Sequence, residues 1–248
     1  MLLRSYAATH PTNVGIPARS YEGWDQLAYA SRGVMSVVTS QGTWVVPPHR
    51  AVWIPAGVVH SVQMSGRVAV RTLFFRSRLS GGRLPRTCLA VNVSPLVREL
   101  VLHASRRSTL RRDKAADRRL AQVILDQLET LPAEPLQLPM PNDPRARKAA
   151  ELLQAEPGER ASLAEVTRAI GASKRTLERL FLGETHMTLG RWRQRLRLVE
   201  ALRLLATGHA VTRVALDVGY QSPSAFISAF RRELGTTPGR YFRSAPEA

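Results

Sequence analysis

Cysteine is nearly absent from this chain, which limits both its disulfide chemistry and its metal chemistry. Cys88 is the only cysteine among 248 residues, so it has no partner for a disulfide within the chain. No histidine or carboxylate lies near it in the sequence at a metal-ligand spacing. Cys88 is therefore interpreted as a buried apolar side chain.

Long hydrophobic runs are also missing. No apolar stretch approaches the roughly 20 residues that a helix needs to span a bilayer, and the first residues lack the apolar segment of a secretion signal. We therefore expect a soluble, cytoplasmic protein with no membrane partner. The length of 248 residues is sufficient for two domains, each with its own core.

Acidic side chains are scarce relative to basic ones. The chain has 19 Asp and Glu against 36 Lys and Arg, 33 of them arginine, and its net charge is +17. Residues 1–144 and 145–243 each contain 18 basic and 9 acidic side chains, so the charge is not confined to a tail. This excess favours a polyanionic partner. An arginine-rich codon usage would produce part of the same excess. The charge alone therefore does not establish a nucleic-acid partner, and the sequence motifs are needed as evidence.

The pattern of residues 13–77 indicates strands. Short apolar runs such as VMSVVTSQG and VAVRTLFF alternate there with Gly, Pro and Ser turns, at the spacing of a small antiparallel barrel. We predict an α+β multidomain fold in which residues 1–92 form an antiparallel β-barrel of the cupin or jelly-roll type.

Two spacings within this region resemble those of the cupin family. Gln26 and Gly33 are separated as in the first cupin motif, and Pro55, Gly57 and His60 match the core of the second motif. The resemblance supports a sensor barrel in the first 92 residues.

The departures from the cupin motifs argue against a metal centre. Arg19 and Tyr21 stand where metal-binding cupins have a His-x-His pair, and Gln26 replaces a carboxylate. His60 is then the only imidazole, whereas a divalent transition metal usually needs three or four N, O or S ligands. We expect no metal, no cofactor and no catalytic residue, and hence no enzyme.

A barrel mouth could still bind a small molecule, because such sites are mostly apolar with a few placed polar groups. The candidate effector-pocket residues are Tyr21, Trp24, Gln26, Trp53 and His60. The alternative is that the two tryptophans pack in the core and that the imidazole belongs to a turn. For each residue both interpretations stay open, while a pocket somewhere in the barrel is favoured.

Residues 93–131 change the apolar period from two to about 3.6, the period of a helix. Ser94 and Pro95 start a first helix. The two apolar stripes are Leu96, Val97, Leu100 and Val101, then Leu120, Val123, Ile124, Leu128 and Leu131. The helices could cap the barrel or present a seam to a second copy, and since symmetric dimers are common we predict a homodimer through this segment. Residues 132–144, with five prolines in thirteen positions, are predicted to be a stiff linker.

Residues 145–243 contain an internal repeat of helix, glycine turn and helix. The residues that recur 48 positions later are Leu163, Val166, Ile170 and Gly171, as Val211, Val214, Val218 and Gly219. Those that recur 49 positions later are Ser173, Leu177, Phe181, Thr188, Gly190 and Trp192, as Ser222, Phe226, Phe230, Thr237, Gly239 and Tyr241. The repeat predicts two helix-turn-helix units, and Ser162 with Glu165 predicts a capping box in the first.

A long helix from Leu189 to about Ala206 is predicted between the two units. Its ~17 residues would span roughly 25 Å. With the flanking units it could place two recognition helices ~34 Å apart, which is about one turn of DNA.

This pattern resembles the AraC/XylS family of bacterial transcription regulators. The motif is Ala215-x-x-x-Gly219-Tyr220-x-Ser222-x-Ser224-x-Phe226-x-x-x-Phe230-Arg231, followed by Gly235-x-x-Pro238-x-x-Tyr241. The stretch AVWIPAGVVH resembles the effector domain of one branch of the family. Departures in the first unit are small: Thr167 replaces a frequent alanine, and His186 and Leu189 stand where the second unit has Gly235 and Pro238.

The resemblance implies a regulator that binds double-stranded promoter DNA as a homodimer, responds to a small-molecule effector and has RNA polymerase as a further partner. It also implies that Lys174, Arg175, Glu178 and Arg179 on the first recognition helix face the major groove. The chemistry agrees, because arginine bonds guanine O6 and N7 and glutamate accepts from cytosine N4. The alternative is a solvated helix face.

The corresponding candidates on the second recognition helix are Ser222, Ser224, Ile227, Ser228, Arg231 and Arg232. Serine bonds several bases without discrimination, so this unit is predicted mainly to hold phosphates through its two arginines. Either arginine could instead pair with Glu233.

Two other functions are weighed against regulation. A cupin isomerase or dioxygenase with a DNA-binding appendage would contain stoichiometric metal. A nonspecific architectural protein would bind unrelated duplexes with equal affinity at one salt concentration.

Overall fold

The computed structural model describes residues 1–130, 136–158 and 162–243. The chain divides into two compact units. Among the described residues, the first contains Met1–Thr39 and those from Trp44 to Leu136, and the second contains Ser40–Thr43 and those from Gln137 to Arg243. None of the helices in the described ranges is long and apolar enough to cross a membrane.

The strands lie mainly in the first unit. In chain order they are β1 (Leu3–His10), β2 (Gly15–Arg19), β3 (Trp24–Thr39), β4 (Gly42–Val46), β5 (Arg50–Ile54), β6 (His60–Arg76), β7 (Leu89–Asn92), β8 (Thr109–Leu110) and β9 (Gln137–Pro139). The helices are α1 (Ser77–Ser80), α2 (Pro95–Ser105), α3 (Ala115–Thr130), α4 (Pro144–Ala155), α5 (Leu163–Ile170), α6 (Lys174–Thr185), α7 (Leu189–Ala206), α8 (Val211–Asp217), α9 (Pro223–Leu234) and α10 (Pro238–Arg243).

The antiparallel sheet that was predicted is present, but it does not close into a barrel. Its main path runs β7-β5-β3-β6-β1-β8, with β2 paired to β6 and β4 paired to β3. Across the described ranges no ladder joins the end strands β7 and β8. The end strands β7 and β8 are only 4 and 2 residues long, so they offer few main-chain groups for the hydrogen bonds that would close the sheet. Helices α2 and α3 instead cover one apolar face of the sheet.

The prediction missed β1. This strand pairs with β6 along its whole length, from Leu3 opposite Phe75 to His10 opposite Val68. Its sequence, LRSYAATH, has only one large aliphatic side chain. Strand β1 therefore lacks the alternation of apolar and polar side chains by which a strand is recognised in a sequence, and its main-chain pairing with β6 is not visible there.

Gly33, the glycine of the first cupin spacing, lies inside a strand. Strand β3 continues through Gly33, with register shifts between Ala30 and Arg32 and between Arg32 and Val34. Gly33 has a φ of 75°, and a Cβ there would lie 2.7 Å from the Arg67 carbonyl oxygen. The glycine therefore marks a β-bulge that bends the strand.

Helices α2 and α3 cap the sheet. The Ser94 hydroxyl accepts the Val97 amide at 3.2 Å, which confirms the predicted helix start. Most of the two stripes, including Val101 and Ile124, is buried against the sheet. Leu96 and Val123 remain 53% and 41% exposed. Leu131 of the predicted stripe lies outside the described residues.

Part of the predicted linker belongs to the second unit. Residues 132–135 lie outside the described ranges, but Gln137–Pro139 forms β9. Leu138 is buried in the helical core. The Trp192 indole donates to the Pro139 carbonyl at 2.7 Å. The end of the proline-rich stretch is therefore packed and is not a spacer.

The second unit contains the predicted repeat as a repeated aromatic contact. Phe181 and Trp192 meet edge to face at 5.3 Å, and their counterparts 49 residues later, Phe230 and Tyr241, do so at 5.7 Å. The predicted capping box is also present, with both of its hydrogen bonds between Ser162 and Glu165. The predicted long helix is α7.

His186 has an unfavourable backbone conformation at the end of α6 in the first copy. It closes α6 in the left-handed conformation with a φ of 55°, where the second copy has Gly235 with a φ of 76°. A side chain in this conformation costs about 1 kcal/mol or more relative to glycine. We expect His186→Gly to raise the free energy of unfolding by about 1 kcal/mol in urea denaturation. Gly235→His should lower it by a similar amount, and a loss of stability in His186→Gly would contradict the explanation.

Candidate nucleic-acid interface and ligand cavity

The first helix pair is joined by a glycine turn. Helix α5 ends at Gly171, which has a φ of 64° and donates its amide to the Arg168 carbonyl. Helix α6 then begins at Ser173, whose hydroxyl accepts the Thr176 amide at 3.1 Å. These local hydrogen bonds determine the direction in which α6 leaves the turn.

Helix α6 has one buried face and one charged face. Leu177, Leu180 and Phe181 are buried in the core of the unit. The exposed residues are those predicted to contact bases: Lys174, Arg175, Glu178 and Arg179. Because residues four apart lie on the same side of a helix, the two arginines are one turn apart on the same face.

The charges on this face are not equivalent. Lys174 and Glu178 pair with each other, with 3.7 Å between Nζ and Oε1. Arg175 and Arg179 make no hydrogen bond or ion pair with any described residue. The face therefore offers two guanidinium groups whose donors are available to an external acceptor.

The second helix pair repeats the geometry with a different surface. Gly219 has a φ of 83°, and Tyr220 donates its amide to the Ala215 carbonyl at 2.9 Å. The Ser222 hydroxyl accepts the Ala225 amide at 3.2 Å. Ser222 therefore starts helix α9, and this bond occupies one of its lone pairs.

The outer face of α9 has few groups that distinguish one base from another. Ser224 and Ser228 are exposed, and Ile227 is half-buried. Arg232 Nε lies 3.7 Å from Glu233 Oε1. Of the two arginines that could pair with Glu233, Arg232 therefore does so. Arg231 is exposed and makes no ion pair with a described residue.

Helix α7 connects the two copies through the core. It is 18 residues long, and eight of its residues, including Trp192 and Arg195, are buried. Arg191 is exposed at its start. A cleft of about 410 Å³ lies beside α7. Its lining includes Arg191, Arg195, Tyr220 and Arg232, which the sequence did not predict to come together.

The first unit contains a cavity of about 310 Å³ on the face of the sheet opposite α2 and α3. Three predicted pocket residues, Tyr21, Gln26 and His60, line it. Arg4 and Arg19 also line it and were not predicted. Arg4 belongs to the missed strand β1, whereas Arg19 occupies the position at which metal-binding cupins have histidine.

The two tryptophans predicted to line the pocket do not do so. Trp53 is 1% exposed and packs on Phe75 in the core beneath α2 and α3. Successive residues of a strand face opposite sides, so Trp53 and the cavity lie on different faces. Trp24 lies between the Arg4 and Arg76 guanidinium groups, at 4.7 and 4.2 Å from its ring. These groups cover its faces.

The polar groups of the cavity are held in a largely apolar setting. The Arg4 guanidinium lies 4.7 Å from the Phe74 ring and 5.6 Å from the Tyr21 ring. Arg4 Nε and Gln26 Oε1 are buried and have no hydrogen-bond partner among the described residues. Such groups are costly unless a ligand or water satisfies them.

The surroundings of His60 favour its neutral imidazole. Burial lowers the pKa of the imidazole, the hydrogen bond with the Val58 carbonyl opposes this by raising the pKa, and the nearby positive charge of Arg19 lowers it. Its Nδ1 lies 2.9 Å from the Val58 carbonyl oxygen, which orients the ring. No group of three or more His, Cys, Asp or Glu side chains in the described ranges is arranged to hold a metal ion.

Comparison with known proteins shows that the sequence of this chain is similar to those of transcription regulators. Residues 166–244 match the protein family described as Helix-turn-helix domain. The chain is 39% identical over 216 residues to the HTH-type transcriptional regulator NimR of Escherichia coli (strain K12), a match that covers 87% of this chain and 78% of NimR.

Shorter matches are found to other regulators. The chain is 42% identical over 77 residues to the regulatory protein SoxS of Salmonella typhimurium (strain LT2), covering 31% of this chain and 72% of SoxS. A solved transcriptional regulator from Chromobacterium violaceum, with an AraC-type DNA-binding domain, is 28% identical. That match covers 42% of this chain and 94% of the solved chain, with a TM-score of 0.39.

Comparing Ser222 with Ser228 distinguishes the contribution of a helix cap from that of an exposed serine on the same helix. Ser222→Ala should lower the free energy of unfolding by about 1 kcal/mol because the Ala225 amide loses its acceptor. Ser228→Ala, on the exposed face of the same helix, should change it by less than about 0.5 kcal/mol. Urea denaturation followed by circular dichroism measures both. Equal effects would show that Ser222 does not act as a cap.

Proposed function

Since this chain belongs to the AraC/XylS family of DNA-binding transcription regulators, we propose that α6 selects the DNA sequence, α9 anchors the complex and the first unit responds to a small-molecule effector. The proposal assigns different tasks to two copies of one motif. It also assigns the cavity of the first unit to the effector.

One observation on α6 supports its role in base recognition. Arg175 and Arg179 lie one turn apart on the exposed face and have no acidic partner among the described residues. A recognition helix in the major groove presents such side chains to base edges. Each guanidinium matches the O6 and N7 acceptors of guanine, and Glu178 would contact cytosine N4 only after its pair with Lys174 opens.

The surface of α9 supports a positioning role. Ser224 and Ser228 bond different bases with little preference, while Arg231 is exposed and unpaired among the described residues. Phosphate contacts of this kind determine register and orientation without carrying sequence information. Arg232 contributes less because Glu233 lies beside it.

A homodimer is part of the proposal. Helices α2 and α3 use most of their apolar side chains to cover the sheet, so the surface left for a second copy centres on Leu96 and Val123. A symmetric pair of chains would present two double helix-turn-helix units to a promoter. Contact with RNA polymerase is a further part of the proposal, to which we assign no residue.

The division of labour between α6 and α9 is tested by arginine substitutions. Arg175→Ala and Arg179→Ala should each weaken binding by about 1–3 kcal/mol and relax the preference at one base pair. Arg231→Ala should weaken binding to all sequences alike. It should also reduce the slope of the logarithm of the binding constant against the logarithm of the salt concentration by about one. Selection from a randomised duplex pool, followed by titration of the selected site at several salt concentrations, measures both effects.

Arg145→Ala is the matched control, because it removes the same group from α4, where it pairs with Asp143. It should leave base preference unchanged. If Arg175→Ala and Arg179→Ala both kept the affinity and the base preference of the wild-type chain, α6 would not be the surface that selects the sequence.

A further inference from the structure

We propose that the cavity of the first unit binds a small organic monoanion, a carboxylate with an apolar or aromatic body, and that the Arg4 and Arg19 guanidinium groups hold the carboxylate. This inference rests on the proposed function only in treating the ligand as the effector. It names a chemical class for that ligand and the side chains of this chain that hold it.

The charge around the cavity is entirely positive. The described residues that line it supply two guanidinium groups, neutral polar groups and apolar side chains, and none of them is a carboxylate. Neither Arg4 nor Arg19 forms an ion pair with a described residue. A cation would be repelled by both arginines, and a neutral ligand would leave both charges uncompensated.

The nearest acidic side chains in the sequence do not neutralise these arginines. Asp25 accepts hydrogen bonds from the Ala56 amide at 2.9 Å and from the Ser80 hydroxyl at 2.8 Å. The Glu22 carboxylate lies beside Gly57, where an added Cβ would be 3.5 Å from its Oε1. An anionic ligand would supply the negative charge that these acidic side chains do not provide.

The aromatic rings around Arg4 leave its donors available. The Trp24, Phe74 and Tyr21 rings lie 4.7, 4.7 and 5.6 Å from its central carbon. Contacts to ring faces hold a guanidinium in place, but they do not satisfy the N–H groups that point outward in its plane. Those in-plane donors match the two oxygens of a carboxylate. Arg4 Nε, buried without a partner, is one of them.

The rest of the lining determines the body of the ligand. Five of its residues present aliphatic or thioether surface: Ile16, Met35, Val62, Met64 and Val70. The volume of about 310 Å³ corresponds to roughly ten water-sized groups, taking ~30 Å³ for each. Gln26 adds an amide with an unsatisfied oxygen, and His60 adds a neutral imidazole. A phenyl ring with a short carboxylate-bearing chain fits this description.

Calorimetric titration of the full chain tests the proposal with defined probes. Benzoate, phenylacetate and cinnamate are the anionic probes, and cinnamamide is the uncharged match of the last. We expect at least one carboxylate to bind, and cinnamamide to bind about tenfold or more weakly than cinnamate, because charge-assisted hydrogen bonds are the stronger class. Failure of all three carboxylates, or equal affinity for cinnamamide and cinnamate, would overturn the proposal.

Substitutions place the anion within the cavity. Arg4→Met and Arg19→Met should each weaken carboxylate binding about ten- to hundredfold. Arg86→Met is the control, because Arg86 is exposed in the same unit and does not line the cavity. Since Arg4 packs on Trp24, its variant is compared only if its melting temperature matches that of the wild type. The exposed Arg19 supplies the second, independent variant, and unchanged affinity there would contradict the assignment.

DNA titrations separate this proposal from the proposed function. If a carboxylate binds and changes the affinity for the selected duplex, both proposals are supported. If it binds and leaves DNA affinity unchanged, the anion site stands and the effector role fails. If no carboxylate binds while the duplex is still selected through α6, the anion site fails and the DNA-binding assignment stands.

Discussion

The alternation of side chains along two long antiparallel strands, β3 and β6, is the constraint on which the first unit depends. Because neighbouring residues of a strand face opposite sides, one side of the sheet carries Leu27 and Phe75 toward the capping helices. The other side carries Gln26 and Phe74 toward the cavity. The bulge at Gly33 bends β3 while keeping it paired with β6. One sheet thereby supports a solid core on one face and a ligand-sized space on the other.

The second unit depends on a contact that is used twice. An edge-to-face aromatic pair links the second helix of each copy to the helix that follows it, through Phe181 with Trp192 and through Phe230 with Tyr241. With the same packing inside both copies, the outer faces of α6 and α9 were free to differ. One carries two arginines that pair with no described residue, and the other carries serines. In the proposed division of labour, a shared scaffold supports one surface for base recognition and one for anchoring.

The two units use the same side chain under different conditions. On α6 the guanidinium groups are exposed and screened by water, so they repel each other only weakly and are accessible to an external acceptor. In the cavity, aromatic rings restrict Arg4 and exclude water from its Nε. An anion at Arg4 would therefore interact more strongly than one at the α6 surface. In the two proposals, a chain with a net charge of +17 binds negative charge in two distinct ways.

The sequence by itself determined the features that depend on local rules. Caps at Ser94, Ser162 and Ser173, the span of α7 and the repeat itself follow from short-range hydrogen bonds and from a period of 3.6, both of which are written in consecutive residues. Tertiary structure alone decided which side of the sheet each strand residue faces and whether the sheet closes. The tertiary structure places Trp53 in the core. It also pairs β1 with β6, so that Arg4 and Arg19 line the same cavity. The physical reason is that strand pairing joins residues far apart in the chain, and a bulge or a register shift of one residue reverses which side chains face the cavity.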